Sequence, residues 1–330
     1  MTRRDATRDW LERLHAAAAH PTSSDSAETI RAALQRREGP VVDRAARLIG
    51  AHQLVGFEAA LVAAWAPLFV QPVKRDPGCG AKLAIAAALD QLDHLHPDLF
   101  LQGAAWRQPE PAWGRPVDTA TALRARCGHA LVRMAWPDAL ATLADLLADP
   151  EARVREEAAR ALGHHGGAGA AALVRYALRR CLATSAGEDP AVVEALLAAL
   201  LACDREAGQE IAVAQVETDA PWARSALLAL AETRDDAVVP VLAAVLDRSV
   251  GPDDQQAALT ALAIHRTHTS RQVLLDAIAD GPLGRARLAV SALAVQASDP
   301  RLASAVRAAA TRRGDPRLDE RVEAVFGAET

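Results

Sequence analysis

The chain has almost no lysine, few aromatic residues, few cysteines and no long hydrophobic run. Aromatics make up only 3% of the residues while apolar residues reach 51%. Ala, Leu and Val must therefore supply the burial, which suits helices packed at close range. Alternating or β-branched runs of strand length are scarce, and almost no sheet is expected. The four cysteines, Cys79, Cys127, Cys181 and Cys203, form no C-x-x-C pair, which points to free, packed thiols in a reducing cytoplasm. The longest apolar run, from Ala59 to Val70, contains Pro67 and is too short to cross a bilayer. The first ten residues lead into charged helix rather than a hydrophobic signal core, so no secretory signal and no membrane association are expected. Lys74 and Lys82 are the only lysines among 37 basic residues. With so much Ala, the Arg excess reads as the base composition of a bacterial genome rather than as selection for phosphate binding. A formal charge of -5 argues against a protein that coats nucleic acid.

What is present is a repeating helical pattern. From Asp149-Pro150 the chain runs through Val154, Ala158, Ala161 and Leu162 to Gly163, an apolar stripe at helical spacing. Asp149 is suited to cap this helix, Pro150 to occupy its first turn, and Gly163, with Gly166 and Gly167 behind it, to end it. The stretch from Ala139 to Leu147 carries the same period, and with only Asp149-Pro150 between them the two helices should pack as an antiparallel pair. Prolines that open a second helix of such a pair recur at 40, 77, 116, 150, 190, 221, 252, 282 and 316, and the eight steps average 34.5 residues. That is the length of one helix hairpin. Ala-Leu steps at 161–162, 199–200, 229–230, 261–262 and 292–293 place the repeat in the core pattern as well as in the punctuation.

This pattern divides the chain into N-terminal capping helices over residues 1–39, irregular pairs over 40–136, and regular pairs with an arginine-rich cap over 137–330. Individual helices are predicted over 3–20, 26–37, 40–53, 54–70, 79–93, 97–105 and 118–135. Asp149-Pro150, Val154-Arg155, Ala158-Ala159 and Ala161-Leu162-Gly163 resemble the short HEAT-like repeats, including those of phycobilisome-lyase type. The resemblance implies an all-α fold, a right-handed α-solenoid of about nine helix-hairpin repeats behind an N-terminal capping helix, with second helices lining a concave face. Its members range from scaffolds to chromophore lyases and alkyl-base DNA glycosylases, so it names no chemistry.

Two regions stand out as candidate binding surfaces. The segment from Trp106 to Asp118 holds three prolines and two tryptophans and cannot be helix interior. Trp106, Trp113, Arg115 and Asp118 are its candidate contacts. On the concave face, Arg124 and Arg126, joined by Arg133, Arg153, Arg155, Arg160 and Arg224, would form a positive ridge interrupted by Glu156, Glu157, Glu188 and Glu194. Arg155 occupies a position at which this repeat type ties neighbouring repeats together. Other motifs are weaker. Asp93-His94-Leu95-His96-Pro97-Asp98 reads as capping rather than as a metal site, and no metal or other cofactor is expected. Gly78-Cys79-Gly80-Ala81-Lys82 lacks phosphate-loop spacing, although Cys79 at a helix start would have a lowered pKa. No nucleophile signature is present.

The reading is therefore a non-enzymatic cytoplasmic scaffold or adaptor that holds a protein partner through its concave face and the 106–118 loop. Nucleic acid is the disfavoured alternative, in a glycosylase-like protein using Trp106, Trp113 or Trp136 with Asp118 or Asp138. A chromophore-lyase-like subunit is the third reading.

Overall fold

The computed structural model describes residues 3–184, 187–218 and 221–327. Among the described residues, twenty α-helices, four short 3₁₀ helices and one two-stranded hairpin account for the regular structure. The chain divides into two compact units, residues 1–173 and 174–330.

The first unit contains α1 (Arg3–Ala17), α2 (Ser24–Leu34), α3 (Gly39–Ala51), α4 (Glu58–Trp65), the short α5 (Pro72–Arg75), α6 (Gly80–Gln91), α7 (Pro97–Ala105), β1 (Pro109–Glu110), β2 (Val117–Asp118), α8 (Thr121–Arg133), α9 (Ala139–Leu147) and α10 (Ala152–His165). The pairs α2/α3, α4/α6, α7/α8 and α9/α10 pack as hairpins, and the second helices α3, α6, α8 and α10 stack on one another in that order. Ala faces such as Ala45, Ala46, Ala81, Ala84, Ala88 and Ala130 are buried between them, and small side chains allow this close approach. The division between the units falls within α11 (Gly167–Thr184).

The second unit continues with α12 (Pro190–Cys203), α13 (Arg205–Glu217), α14 (Ala223–Glu232), α15 (Val239–Arg248), α16 (Pro252–His265), α17 (His268–Ala279), α18 (Leu283–Leu293), α19 (Pro300–Arg313) and α20 (Pro316–Phe326). Here α12, α14, α16, α18 and α20 stack in series. These are the helices that the proline ladder marks. Asp189, Asp299 and Asp315 cap α12, α19 and α20 through their carboxylates immediately before a first-turn proline. Of the C-terminal arginines, Arg313 donates to the Ile278 and Gly281 carbonyls, and Arg307 to Glu323 and the Phe326 carbonyl. They bind helices together rather than simply polarising an end.

Several boundaries differ from expectation for local reasons. The helix after Asp149-Pro150 starts at Ala152. Asp149 is buried and its carboxylate is held by Arg124, although Oδ1 also accepts the Glu151 N–H at 2.9 Å. The stretch predicted as helix 54–70 is broken: a turn precedes α4, and a 3₁₀ turn over Ala66–Phe69 follows it. Helix α8 starts at Thr121, because Asp118 is spent in the hairpin. Non-glycine residues in the left-handed region, Gln53, Asp93 and Ala135, end α3, α6 and α8. In each case the next N–H closes a bond to the carbonyl five residues back, as in Leu54 to Ile49, His94 to Leu89 and Trp136 to Leu131. The repeat is thus written in helix termination as well as in helix opening.

Candidate functional site

The Trp106 to Asp118 segment is an antiparallel hairpin pairing Pro109 with Asp118 and Glu110 with Val117. Proline removes donors from so short a ladder, and side chains take over the fastening. Asp118 accepts the Gln108 and Ala120 N–H groups at 2.9 and 3.0 Å and pairs with Arg124 at 2.7 Å. Glu110 accepts from the Gly78 N–H at 2.7 Å, from Thr119 Oγ1 at 2.9 Å and from Gln108 Nε2 at 2.7 Å. Gln108 Nε2 also donates to the Asp76 carbonyl at 2.7 Å. The stem is thereby sewn to the loop between α5 and α6.

Beneath it, Lys82 Nζ meets Asp76 Oδ2 at 2.7 Å with both side chains almost wholly buried. The ammonium also lies 5.4 Å from the Phe69 ring and 6.0 Å from the Trp106 ring, close enough for cation–π attraction. These contacts leave the Lys82 ammonium inside the fold rather than in a phosphate loop. Burial pushes the Cys79 thiol up to about 12, with Asp76, Asp118 and Glu110 adding to the effect of burial and Lys82 opposing it. The expected lowering at a helix start is therefore reversed. For Asp118, burial raises the pKa, but the two N–H bonds and Arg124 outweigh it and hold the carboxyl below its ordinary value. Burial likewise works against Glu110, and Gln108, Gly78, Thr119 and Lys82 together bring it below the usual range.

At the hairpin tip Trp113 is 107% exposed and Arg115 is exposed beside it. Trp106 behaves differently. Its ring packs edge-on against Phe69 at 4.7 Å, its indole N–H donates to Gln108 Oε1 and its carbonyl accepts from Arg124. Trp136 also packs against the core, so of Trp106, Trp113 and Trp136 only Trp113 is fully exposed.

The arginines expected to form one ridge separate into two groups. Arg124 is 1% exposed and joins Asp118 and Asp149 at 2.7 and 2.9 Å. It is a tie inside the fold, not part of an open surface. Arg107 supplies Asp149 with a second partner at 3.2 Å. Arg155 donates to the Asp149 and Pro150 carbonyls at 2.7 and 2.9 Å, closing the turn before its own helix. Arg224 lies in the second unit, on α14. Arg126 and Arg133, by contrast, open into a groove of about 900 Å³ between α6, α8 and α10, which Arg153 on α10 also lines.

Groove residues follow helical spacing: Arg126, His129 and Arg133 on α8, and Arg153, Glu157 and His164 on α10. Asp90, on α6, is shared by Arg126 at 3.2 Å and by Arg133. Glu157 meets His129 at 3.1 Å and Arg153 at 3.6 Å. Burial depresses the His129 pKa, the Glu157 contact opposes this, and the positive potentials of His164 and Arg126 reinforce it. The sequence reading did not select Asp90, His129 or His164 for this groove. An acid directly after Leu89 on an apolar helix was the available signal for Asp90, and the 126, 129, 133 spacing was the signal for His129. Gln108 and Glu110 carry no such mark, since their role depends on a loop 30 residues earlier in the chain. Among the described residues no group of three His, Cys, Asp or Glu side chains is arranged to hold a metal ion. His96 caps α7 by accepting the Leu99 N–H. No described helix is long and apolar enough to cross a membrane.

Residues 117–189 match the family model for HEAT repeats. No curated protein matches the chain. Among solved structures, the chain is similar to the complex of CpcE and CpcF of phycocyanin lyase from Nostoc sp. PCC7120, with 17% identity over 86% of this chain and 94% of that one and a TM-score of 0.41. It is also similar to an engineered protein, with 18% identity over 98% of this chain and 94% of that one and a TM-score of 0.42. From the second strand of the hairpin through α11, then, the chain is built of HEAT repeats within an all-α repeat fold.

Proposed function

We propose that the protein is a non-enzymatic, cytoplasmic HEAT-repeat scaffold that holds a protein partner against the hairpin tip and the adjoining groove. The observation that carries this reading is Trp113, a fully exposed indole on a stem fastened by Asp118, Glu110 and Gln108. Trp is among the side chains most enriched at interaction hot spots, where it supplies a large rigid contact area. Fastening the stem in advance lowers the ordering cost of association. The groove starts where the hairpin ends, since Thr121 at the head of α8 is part of its lining. The stem of the hairpin and the groove are thus neighbours along the chain.

The test is affinity purification of the tagged full-length protein from its host at low and high salt, repeated with Trp113→Ala. Retention of a stoichiometric protein at high salt, lost in the variant with less than about 0.5 kcal/mol change in stability, is the expected result. Nucleic acid recovered only at low salt, with no protein partner, would overturn it.

A further inference from the structure

The groove differs in charge from the chain around it. The whole chain carries -5, yet the charged lining residues are Arg126, Arg133 and Arg153 against Asp90 and Glu157. The groove thus holds one positive charge in excess while both histidines are neutral. Its acids are already engaged. The Asp90 side chain is only 4% exposed and pairs with two guanidiniums, while Glu157 is shared by His129, Arg153 and Arg160. The arginines are not used up in the same way. Each guanidinium has five N–H donors, and Arg126 spends one of them on Asp90 at hydrogen-bond distance. Arg153 is 72% exposed and its contact with Glu157 is a 3.6 Å charge pairing. Arg133 uses one terminal nitrogen, Nη2, on the carbonyl and carboxylate of Asp90, so three half-open guanidiniums on two neighbouring helices keep donors available, over a floor that includes Leu83, Ala122, Ala125 and Val132.

We infer that this groove binds an acidic segment of a protein partner, whose carboxylates meet Arg126, Arg133 and Arg153 while its aliphatic carbons lie on the floor between α6, α8 and α10. Carboxylates match the planar fork of arginine. Successive helices about 9 Å apart give a floor of roughly 18 Å across three of them, which five or six extended residues would span. The mixed lining favours a peptide over a nucleic acid. Phosphates at every nucleotide would face Asp90 and Glu157 as well as the arginines, whereas a peptide can place its carboxylates only opposite the guanidiniums. The inference rests on the scaffold reading and supplies the partner chemistry for it.

The experiment measures fluorescence anisotropy of labelled Glu/Ala, Gln/Ala and Lys/Ala peptides of about eight residues, together with a short oligothymidylate, against the full-length protein. The Glu/Ala peptide should bind at least about tenfold more tightly than the Gln/Ala peptide and weaken as salt rises from about 0.05 to 0.3 M. Arg153→Glu should raise its Kd about fivefold or more. Arg153 is the first choice because it is exposed, whereas removing Arg126 or Arg133 bares the buried Asp90. Arg126→Lys, which keeps that charge, provides a second reading with a smaller loss. Equal affinity for the Glu/Ala and Gln/Ala peptides, or indifference to Arg153→Glu, overturns the inference. Preference for oligothymidylate overturns it in favour of nucleic acid. Peptide binding should survive Trp113→Ala. If the peptides fail while a purified partner still depends on Trp113, the groove inference falls and the scaffold reading stands. If the peptide binds but no protein partner is retained, the scaffold reading falls alone.

Discussion

Arg124 shows how far a side chain's role can lie from its appearance in sequence. The sequence places it with Arg126 and Arg133 on one second helix of the expected concave face. On a helix two positions differ by about 200°, so one guanidinium enters the core and the other faces the groove. Inside, Arg124 pairs with Asp118 and Asp149 together and so fastens the hairpin to the turn before α10. Replacing it with Leu leaves both carboxylates without their main partner in a dry setting. Removing one member of a buried ion pair costs about 3–5 kcal/mol, and Arg124→Leu is expected to lose that much in urea denaturation. A loss below about 1 kcal/mol would mean that Arg107 and water satisfy Asp149 without it. Lys82 and Asp76 follow the same physical rule, since a buried charge persists only where it is paired.

At the scale of elements, the hairpin depends on groups outside its own ladder. Two paired positions cannot be stable alone, yet Glu110 gathers donors from Gly78, Gln108 and Thr119 and ties the hairpin to the loop before α6. That loop in turn rests on α3 at Gly39, where an added Cβ would lie 2.3 Å from the Arg75 carbonyl oxygen. Glu110→Ala removes three accepted bonds at a partly exposed site and should cost about 1–2 kcal/mol. Faster hydrogen exchange should appear at the Gly78 amide, with α12 to α20 unaffected. Uniform acceleration across the chain would show instead that the hairpin supports global stability. Part of this level was legible in sequence: the prolines announced a break in the helices, while the tryptophans did not announce which of them would be exposed. The stem's partners were not legible, because Asp76 and Gly78 are more than 25 residues away from it and no local period links them.

At the scale of the molecule, acid should destabilise the protein through several groups that act in the same direction. His129 has a depressed folded pKa, first because of burial, so the unfolded chain binds its proton more readily. The stability this group contributes is complete above the ordinary histidine value of 6.5 and is lost as pH falls through the lower folded value. Asp118 and Glu110, whose pKa values are also depressed, add a second loss below the carboxylate range. Melting temperature measured between about pH 7.5 and 5.5 should fall with acid, and His129→Gln should flatten that slope while leaving the carboxylate-dependent fall at lower pH. An unchanged slope in the variant would assign the effect to other histidines.

Composition and periodicity alone determined that the chain is helical, that its helices pair, and where nearly every second helix begins. These follow from local rules: an apolar stripe needs a 3.6-residue period, and an aspartate-proline step suits a helix start. Tertiary structure decided which arginines are ties and which are open, that Trp106 belongs to the core while Trp113 does not, and that Cys79 is a protonated thiol rather than an activated one. Those outcomes depend on burial and on partners distant in sequence, and neither the desolvation of a charge nor the meeting of two loops leaves a local trace in the order of residues.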